Sequence, residues 1–300
     1  MEVFINVRQN SARAWYLAAR PKTLSGAAVP VMIGAALAWA DIGVEGFRVL
    51  PAVLCFLFAF IMQIDANFVN DYFDCVRGND DETRLGPKRA CAQKWVTMRA
   101  MRIAIAFTTI LACAVGLPLV LYGGLTMILV GAICVLFCFL YTTVLSYHGM
   151  GDALVLVFFG IVPVTMTYFL QTETVSLEAL LASIACGIVI DTLLLVNNYR
   201  DIDNDRRKGK NTLVVRLGAQ RSRRLYFYCG YVACMIGGIF YFNGHHLAFE
   251  LPIIYILLHT QTYNEMIRIN KGAALNRVLG KTARNMFVYG LLVSLGLILS

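Results

Sequence analysis

Residues 180–218, "LLASIACGIVIDTLLLVNNYRDIDNDRRKGKNTLVVRLG", decide how this chain is organised. The first sixteen residues are apolar except for a serine, an aspartate and a threonine. The remainder carries asparagines, three aspartates and a group of arginines and lysines. Ionisable groups at membrane depth cost on the order of 3 kcal/mol each and usually face a polar interior. The stretch therefore predicts a membrane span that ends in a functional site.

The composition of the whole chain supports a membrane protein. Apolar residues make up 59% of the 300 residues, charged residues make up 15%, and the mean hydropathy is +0.67. Soluble domains usually carry about 25% charged residues. We therefore expect an all-α, polytopic membrane protein whose partner is the lipid bilayer. Residues 1–300 are expected to form a single transmembrane domain.

Hydropathy predicts nine spans, each near the roughly 20 residues that cross a bilayer. They fall at 21–40, 50–73, 98–121, 123–144, 152–170, 178–198, 224–242, 247–267 and 283–300. A weak repeat, "NFVNDYFD" from Asn67 and "NNYRDIDND" from Asn197, ends the second and sixth spans. It suggests two four-helix halves with one added helix.

The positive charges predict the orientation of these spans. Of the 26 lysines and arginines, only Arg48 falls in the connections on one predicted side. Since positive residues remain cytoplasmic, the N-terminus and the basic loops are expected in the cytoplasm. The net charge of +8 thus needs no nucleic-acid partner. Nine cysteines without a C-x-x-C pair indicate neither disulfides nor a zinc site.

Two rows of Asn and Asp side chains end the second and sixth spans. Residues four apart share one face of a helix. The rows are Asn67, Asp71 and Asp74, and Asn197, Asp201 and Asp205. We expect them to face one another across a central cavity. Helix-end residues solvated at the membrane surface are the alternative interpretation.

The chemistry of these rows indicates magnesium and a polyanion. Oxygen ligands without His or Cys suit Mg²⁺, which substrate phosphates often complete. Basic residues around the rows, among them Arg77, Arg200 and Lys210, are odd neighbours for a simple cation site. They are understandable if the metal ligand is a diphosphate.

"NDYFD" with "RGND", paired with the 196–218 segment, resembles the UbiA superfamily of intramembrane prenyltransferases. Within that superfamily the chain is most similar to the bacterial 1,4-dihydroxy-2-naphthoate prenyltransferases of menaquinone synthesis. Three further stretches agree with this resemblance: "RPKTLSGAAVPVMIGAALAW" (20–39), "LYTTVLSYHGMGDALVLVFFG" (140–160) and "TYFLQT" (167–172).

The resemblance implies Mg²⁺-dependent transfer of a prenyl chain from a polyprenyl diphosphate to an aromatic acid. With 1,4-dihydroxy-2-naphthoate and decarboxylation, the product is demethylmenaquinone. Residues 67–81 and 197–210 are then the two metal motifs, with Asp71, Asp74, Asp201 and Asp205 catalytic. One position departs from the superfamily pattern: Gly78 stands where the broader family has Asp, which leaves Asp80 or Asp81 as the outer ligand.

Further residues are candidates for substrate binding. Lys22, Arg77, Tyr141 and Lys210 are expected to bind diphosphate, and Arg20, His148 and Asp152 to bind the acceptor. Cytoplasmic anchoring of Arg20 and Lys22 and helix capping by Asp152 remain open alternatives. Asp65 and Asp191 lie off the metal-binding faces and are expected to hydrogen bond in the cavity.

Two other functions remain open on the sequence. One is a sister prenyltransferase with another acceptor, such as 4-hydroxybenzoate or homogentisate. Tyr147 and His148 weaken the benzoate assignment, because those enzymes tend to carry a Lys-Arg pair in this region. The other is an ion-coupled transporter, since intramembrane acids and repeated halves also mark ion pathways. The sequence does not indicate prenyl chain length or oligomeric state.

Overall fold

The computed structural model describes residues 7–78 and 84–300, and over these residues the chain is helical without a β-strand. The helices are α1 Ala12–Ala19, α2 Leu24–Gly46, α3 Val49–Val76, α4 Met98–Gly116, α5 Val120–Gly123, α6 Thr126–Thr143, α7 Gly151–Val155, α8 Val162–Thr172, α9 Leu177–Arg207, α10 Leu213–Ile236, α11 Gly238–Phe242, α12 His246–Glu250, α13 Ile253–Ile269 and α14 Leu275–Leu299. The all-α prediction is confirmed.

Eight helical segments within the described residues are long and apolar enough to cross a membrane. They correspond to all the predicted spans except 247–267. That segment divides into α12 and the 17-residue α13, with Pro252 immediately before α13. Proline has no backbone N–H to continue a helix from the preceding turn. The shorter α13 packs against α10 and α14.

Helix α9 lies at the centre of the bundle. In the most apolar stretch of α9, 61% is buried inside the protein. In the most apolar stretch of α6, only 11% is buried. Helix α9 packs against α10, α14 and the α7–α8 segment. Helices α4 and α6 instead expose large apolar side chains, such as Ile110 and Leu129, as lipid-facing helices do. The second Asn/Asp row therefore sits on the best-buried helix of the protein.

Two glycines bring α9 against its neighbour. A Cβ added to Gly160 would lie 2.6 Å from Gly187 Cα and 2.6 Å from Ser183 O. Gly160 belongs to a π-helical turn, Leu156–Ile161, between α7 and α8. Such turns are local bulges in otherwise regular helices. The backbone contact fixes α7, and with it Asp152, relative to the end of α9.

The two Asn/Asp rows lie at one end of the bundle. At the opposite end, Arg48 joins the start of α3 to the end of α8, with Arg48 N 2.8 Å from Gln171 Oε1 and Arg48 Nη2 2.7 Å from Gln171 O. Helix α9 begins five residues after α8 ends. Since α3 and α9 both start at this end, their C-terminal motifs emerge together at the other.

Candidate active site

Asn67 joins α3 to the α1–α2 junction. Its Nδ2 donates to Ala19 O and to Thr23 Oγ1, both at 2.9 Å. Arg20, at that junction, donates to Asn67 Oδ1 at 3.4 Å and to Asn67 O at 3.3 Å. Arg20 adopts a left-handed backbone conformation (φ +50°) between α1 and the turn at Pro21–Thr23. These hydrogen bonds join the α1–α2 junction to Asn67 on α3.

Asp71 anchors the loop of residues 84–97 that follows the first motif. The carboxylate is buried, with 1% of the residue exposed. Its Oδ2 accepts a hydrogen bond from Ala90 N at 2.9 Å, and its Oδ1 accepts one from Cys91 N at 3.0 Å. Arg20 Nη2 lies 3.8 Å from Oδ2. Each carboxylate oxygen has a second lone pair, so these bonds leave Asp71 able to ligate a metal as well.

Arg200 organises the second motif. This buried guanidinium pairs with Asp201 through Nε–Oδ1 at 2.9 Å and Nη2–Oδ2 at 2.5 Å. Its Nη2 also donates to Asn197 Oδ1 at 2.9 Å, and its Nη1 donates to Asn276 Oδ1 at 2.7 Å. The planar guanidinium can hold several acceptors at fixed angles, which an ammonium cannot do. Arg200 thus sets the orientation of two members of the second row.

The 84–97 loop connects the two motifs. Asn276 Nδ2 donates to Leu85 O at 2.8 Å, so the residue that binds Arg200 also holds this loop. A Cβ added to Gly86 would lie 2.8 Å from Arg200 Nη2. The loop therefore contacts Asp71 of the first row at one point and Arg200, beside the second row, at another. The glycine permits this close approach.

The ring of Tyr147 lies near one cationic side chain from each motif. Arg77 Cζ lies 4.9 Å from the centre of the Tyr147 ring, and Lys210 Nζ lies 5.7 Å from it. Arg77 also donates to the carbonyls of Thr142 and Thr143 at 3.3 and 2.6 Å. The two cations thus lie beside the same ring, one from each motif. This pair is suited to binding an anion with several oxygens.

Tyr141 lies near one aspartate of each row. Its hydroxyl is within electrostatic range of Asp74 from the first row and of Asp205 from the second, and also of Asp152 and Asp191. The side chains of Asp74 and Asp205 are half-buried. A small cavity adjoins Tyr141; it is lined by Tyr141, Ser146, Gly149, Gly151, Asp152, Leu194, Asn198, Lys210 and Thr212. One member of each row, Asp74 and Asp205, therefore lies near Tyr141.

The aspartate oxygen atoms near Tyr141 fit Mg²⁺. Asp74 and Asp205 approach Tyr141 from opposite motifs, and Asp201 lies within electrostatic range of Asp205. Hard oxygen donors beside Lys210 and Arg200 match a divalent ion that shares its coordination sphere with phosphate oxygens. Asp74 and Asp205, with Asp201 near Asp205, could thus hold the ion, whereas hydrogen bonds join Asn67 to the α1–α2 junction and Asp71 to the 84–97 loop.

The acceptor-binding candidates separate into different environments. Asp152 lines the cavity, and its Oδ1 is buried without a hydrogen-bond partner among the described residues. Asp191 Oδ1 has the same character, and the two carboxylates interact electrostatically. His148 is exposed, and its Nδ1 lies 2.9 Å from Val144 O. Arg20 contacts the first motif instead of the cavity lining.

Two further residues named in the sequence analysis, Lys22 and Asp65, lie at the edges of the site. Lys22 has an exposed side chain in the turn at Pro21–Thr23, before α2. Asp65 accepts hydrogen bonds from Thr108 at 2.5 Å and Thr109 at 2.9 Å, so it links α3 to α4 instead of lining the cavity. The expectation for Asp65 was wrong because the periodicity of α3 alone does not reveal which neighbour faces a given side.

The end of the first motif explains its departure from the superfamily pattern. Gly78 has φ +68°, in the left-handed region that favours glycine. An Asp at this position would be strained. The alternative outer ligands, Asp80 and Asp81, lie outside the described residues.

The sequence did not predict the roles of three residues that contribute to the site. Arg200 was recognised only as a basic neighbour, Tyr147 only as a difference from benzoate enzymes, and Asn276 not at all. Arg200 carries a detectable signal, because it stands three residues after Asn197 on the same helix. Asn276 lies in a distant helix, and no pattern in the sequence connects it to the motifs.

Residues 27–291 match the UbiA prenyltransferase family. The chain is 34% identical over 304 residues to 1,4-dihydroxy-2-naphthoate octaprenyltransferase of Escherichia coli K12, covering 96% of each protein. It is 38% identical over 216 residues to the Mycobacterium tuberculosis protein of that name, covering 71% of this chain and 72% of that protein.

The fold is similar to that of a UbiA homologue from Archaeoglobus fulgidus bound to GPP and Mg²⁺. The TM-score is 0.64 at 12% identity, and the match covers 96% of this chain and all of the other. At that identity the likeness concerns the fold alone. The family match spans most of the chain and includes residues 67–81 and 197–210, so this protein is a member of the UbiA prenyltransferase family.

Proposed function

We propose that the protein transfers a prenyl group from a polyprenyl diphosphate to 1,4-dihydroxy-2-naphthoate, with loss of carbon dioxide, to give demethylmenaquinol, the reduced form of demethylmenaquinone. The convergence of Asp74 and Asp205 on Tyr141, beside Arg77 and Lys210, carries the proposal. The acceptor follows from the relatives named for this substrate, which cover most of the chain.

The residues act on the two halves of the donor substrate. Arg77 and Lys210 bind the diphosphate, and Tyr141 donates a hydrogen bond to one of its oxygens. Mg²⁺ held by the carboxylate rows would neutralise charge on the diphosphate and make it a better leaving group. The allylic C–O bond then breaks and the diphosphate leaves with the bonding electron pair. A ring carbon of the acceptor bonds to the allylic carbon, and loss of carbon dioxide and of a proton, which the diphosphate accepts, restores the aromatic ring.

Asp152 and Asp191 are suited to the acceptor. Their unpartnered oxygens lie buried near Tyr141. A buried carboxylate without a hydrogen-bond partner is costly, and a phenolic hydroxyl of the acceptor would supply the missing donor. The bundle around them excludes the water that would otherwise quench the allylic cation.

The orientation is part of the proposal. We place the protein in a bacterial cytoplasmic membrane, with the N-terminus and the active-site loops in the cytoplasm. All lysines and arginines except Arg48 fall in segments predicted at the active-site side, and positive residues remain cytoplasmic. The polyprenyl chain would extend from the site toward the lipid.

Product analysis tests the function. Purified protein is incubated with Mg²⁺, a polyprenyl diphosphate, and in turn 1,4-dihydroxy-2-naphthoate, 4-hydroxybenzoate or homogentisate, and products are identified by mass. We expect a decarboxylated prenyl naphthoquinol. Product formed only from another acid would support the sister function. Coupled ion flux in vesicles without a covalent product would instead support a transporter.

A matched pair of variants tests the site. Asp205→Asn is expected to lower turnover at least roughly 100-fold, the scale for removing one preorganised electrostatic group. Asp203→Asn is the control, since Asp203 is an exposed acid two residues away on the same helix. Equal loss in both variants would contradict the assignment of Asp205.

A further inference from the structure

A second polar cluster lies at the end of the bundle opposite the active site. Its members are Asp41 near the end of α2, Glu178 in the first turn of α9 and His245 before α12. Glu178 and Asn197 share α9 and are separated by about 28 Å at 1.5 Å per residue. The cluster therefore cannot belong to the prenyl-transfer site.

The cluster combines donors that transition metals prefer. One imidazole nitrogen and one oxygen from each of two carboxylates lie within 4.8 Å of one another. Around an ion with bonds of about 2.1 Å, tetrahedral ligands stand about 3.4 Å apart. Closing the cluster onto an ion therefore takes movements of about 1 Å. His245 stands in a turn between two short helices, where side-chain adjustment is easiest.

Glu178 supplies an independent sign of a missing partner. The residue is 7% exposed, and its Oε1 is buried without a hydrogen-bond partner among the described residues. Its Oε2 accepts a hydrogen bond from Asn243 Nδ2 at 2.6 Å. One oxygen is thus fixed by the protein and the other is left for a ligand. A buried, unpaired carboxylate oxygen is costly, and a cation would remove that cost.

Hydrogen bonds from neighbouring residues orient Asp41 and Glu178, as such bonds orient the protein ligands of metal sites. Tyr168 donates from its hydroxyl to Asp41 Oδ2, and Asn243 orients Glu178. Partners of this kind fix ligand geometry, and their loss typically weakens metal binding 10- to 100-fold. Asp41 is exposed, which gives an ion access from solvent.

We propose that Asp41, Glu178 and His245 form a divalent transition-metal site, filled by zinc or a similar ion, on the face opposite the active site. The three protein ligands leave a fourth position for water. Bound metal would join α2, α9 and the α11–α12 turn. The absence of paired cysteines does not bear on such a site, because its ligands are an imidazole and two carboxylates.

Zinc titration of the full-length protein in detergent, with Mg²⁺ kept saturating, tests the proposal. We expect zinc to raise the thermal midpoint and Co²⁺ to give the visible absorption of a low-coordinate site. His245→Ala and Glu178→Gln should each weaken zinc binding at least about tenfold. Glu178→Gln retains an acceptor for Asn243, so its folding without zinc is expected to match wild type.

His246→Ala is the matched control, because His246 is the exposed neighbour of His245 and contacts Tyr241 edge-to-face with ring centres 4.6 Å apart. Its zinc affinity should equal that of wild type. Three outcomes would overturn the proposal. Zinc binding could survive in both cluster variants, it could be lost only in His246→Ala, or it could be absent from wild type. Prenyl transfer measured in parallel reports on the other site independently.

Discussion

Asp71→Asn provides the sharpest test of how the first motif is built. The two Asp71 oxygens each accept a backbone N–H, from Ala90 and from Cys91. Asparagine keeps one acceptor oxygen and places an NH₂ group against the other N–H. A hydrogen bond to a charged group contributes about 1.5–3 kcal/mol, and a buried donor left unpaired adds a further cost. We expect the 84–97 loop to be destabilised by at least about 2 kcal/mol.

Amide hydrogen exchange measures this effect locally. Because 1.36 kcal/mol corresponds to a factor of ten, loop amides should exchange roughly 30-fold faster in Asp71→Asn. The measurement is made without Mg²⁺ or substrate, so that the metal cannot contribute. Global stability should change less, since loops open independently of the helical core.

Asp74→Asn is the comparison variant. Asp74 belongs to the same row, but the loop amides bind to Asp71. It should lose Mg²⁺-dependent turnover and keep the exchange rates of wild type. Unchanged loop exchange in Asp71→Asn would show that this carboxylate does not anchor the loop, and our account of the first motif would then be wrong.

Arg200→Lys should lower turnover about 100-fold by releasing Asp201, since an ammonium cannot replace the fork-shaped pairing; kinetics with Arg206→Lys, an exposed cation on the same helix, give the control. Gly160→Ala should destabilise the protein by about 1–3 kcal/mol through overpacking. Gly131→Ala should not, because the space around its Cβ position is open. Thermal unfolding compares the stabilities of the two variants. Tyr147→Leu should raise KM for the prenyl diphosphate several-fold by removing the ring that Arg77 and Lys210 share, and an unchanged KM would contradict that role.

The sequence by itself determined the membrane class, eight of the nine predicted spans and the location of the motifs. Apolar segments of about 20 residues must be helical in lipid, because their backbone groups have no other partners there. The spacing of Asn67, Asp71 and Asp74 places them on one face of α3 for the same geometric reason. These features depend on composition and helix period, both of which are local.

Only the tertiary structure decided what each polar side chain contacts. Helix period places Asp65 and Asp71 on faces of α3, but it does not reveal that Asp65 meets Thr108 while Asp71 meets the backbone of the 84–97 loop. The zinc-type cluster is the clearest case, since Asp41, Glu178 and His245 are separated by more than 60 residues at each step. Contacts between distant segments arise from packing of whole helices, and no short sequence pattern encodes that packing.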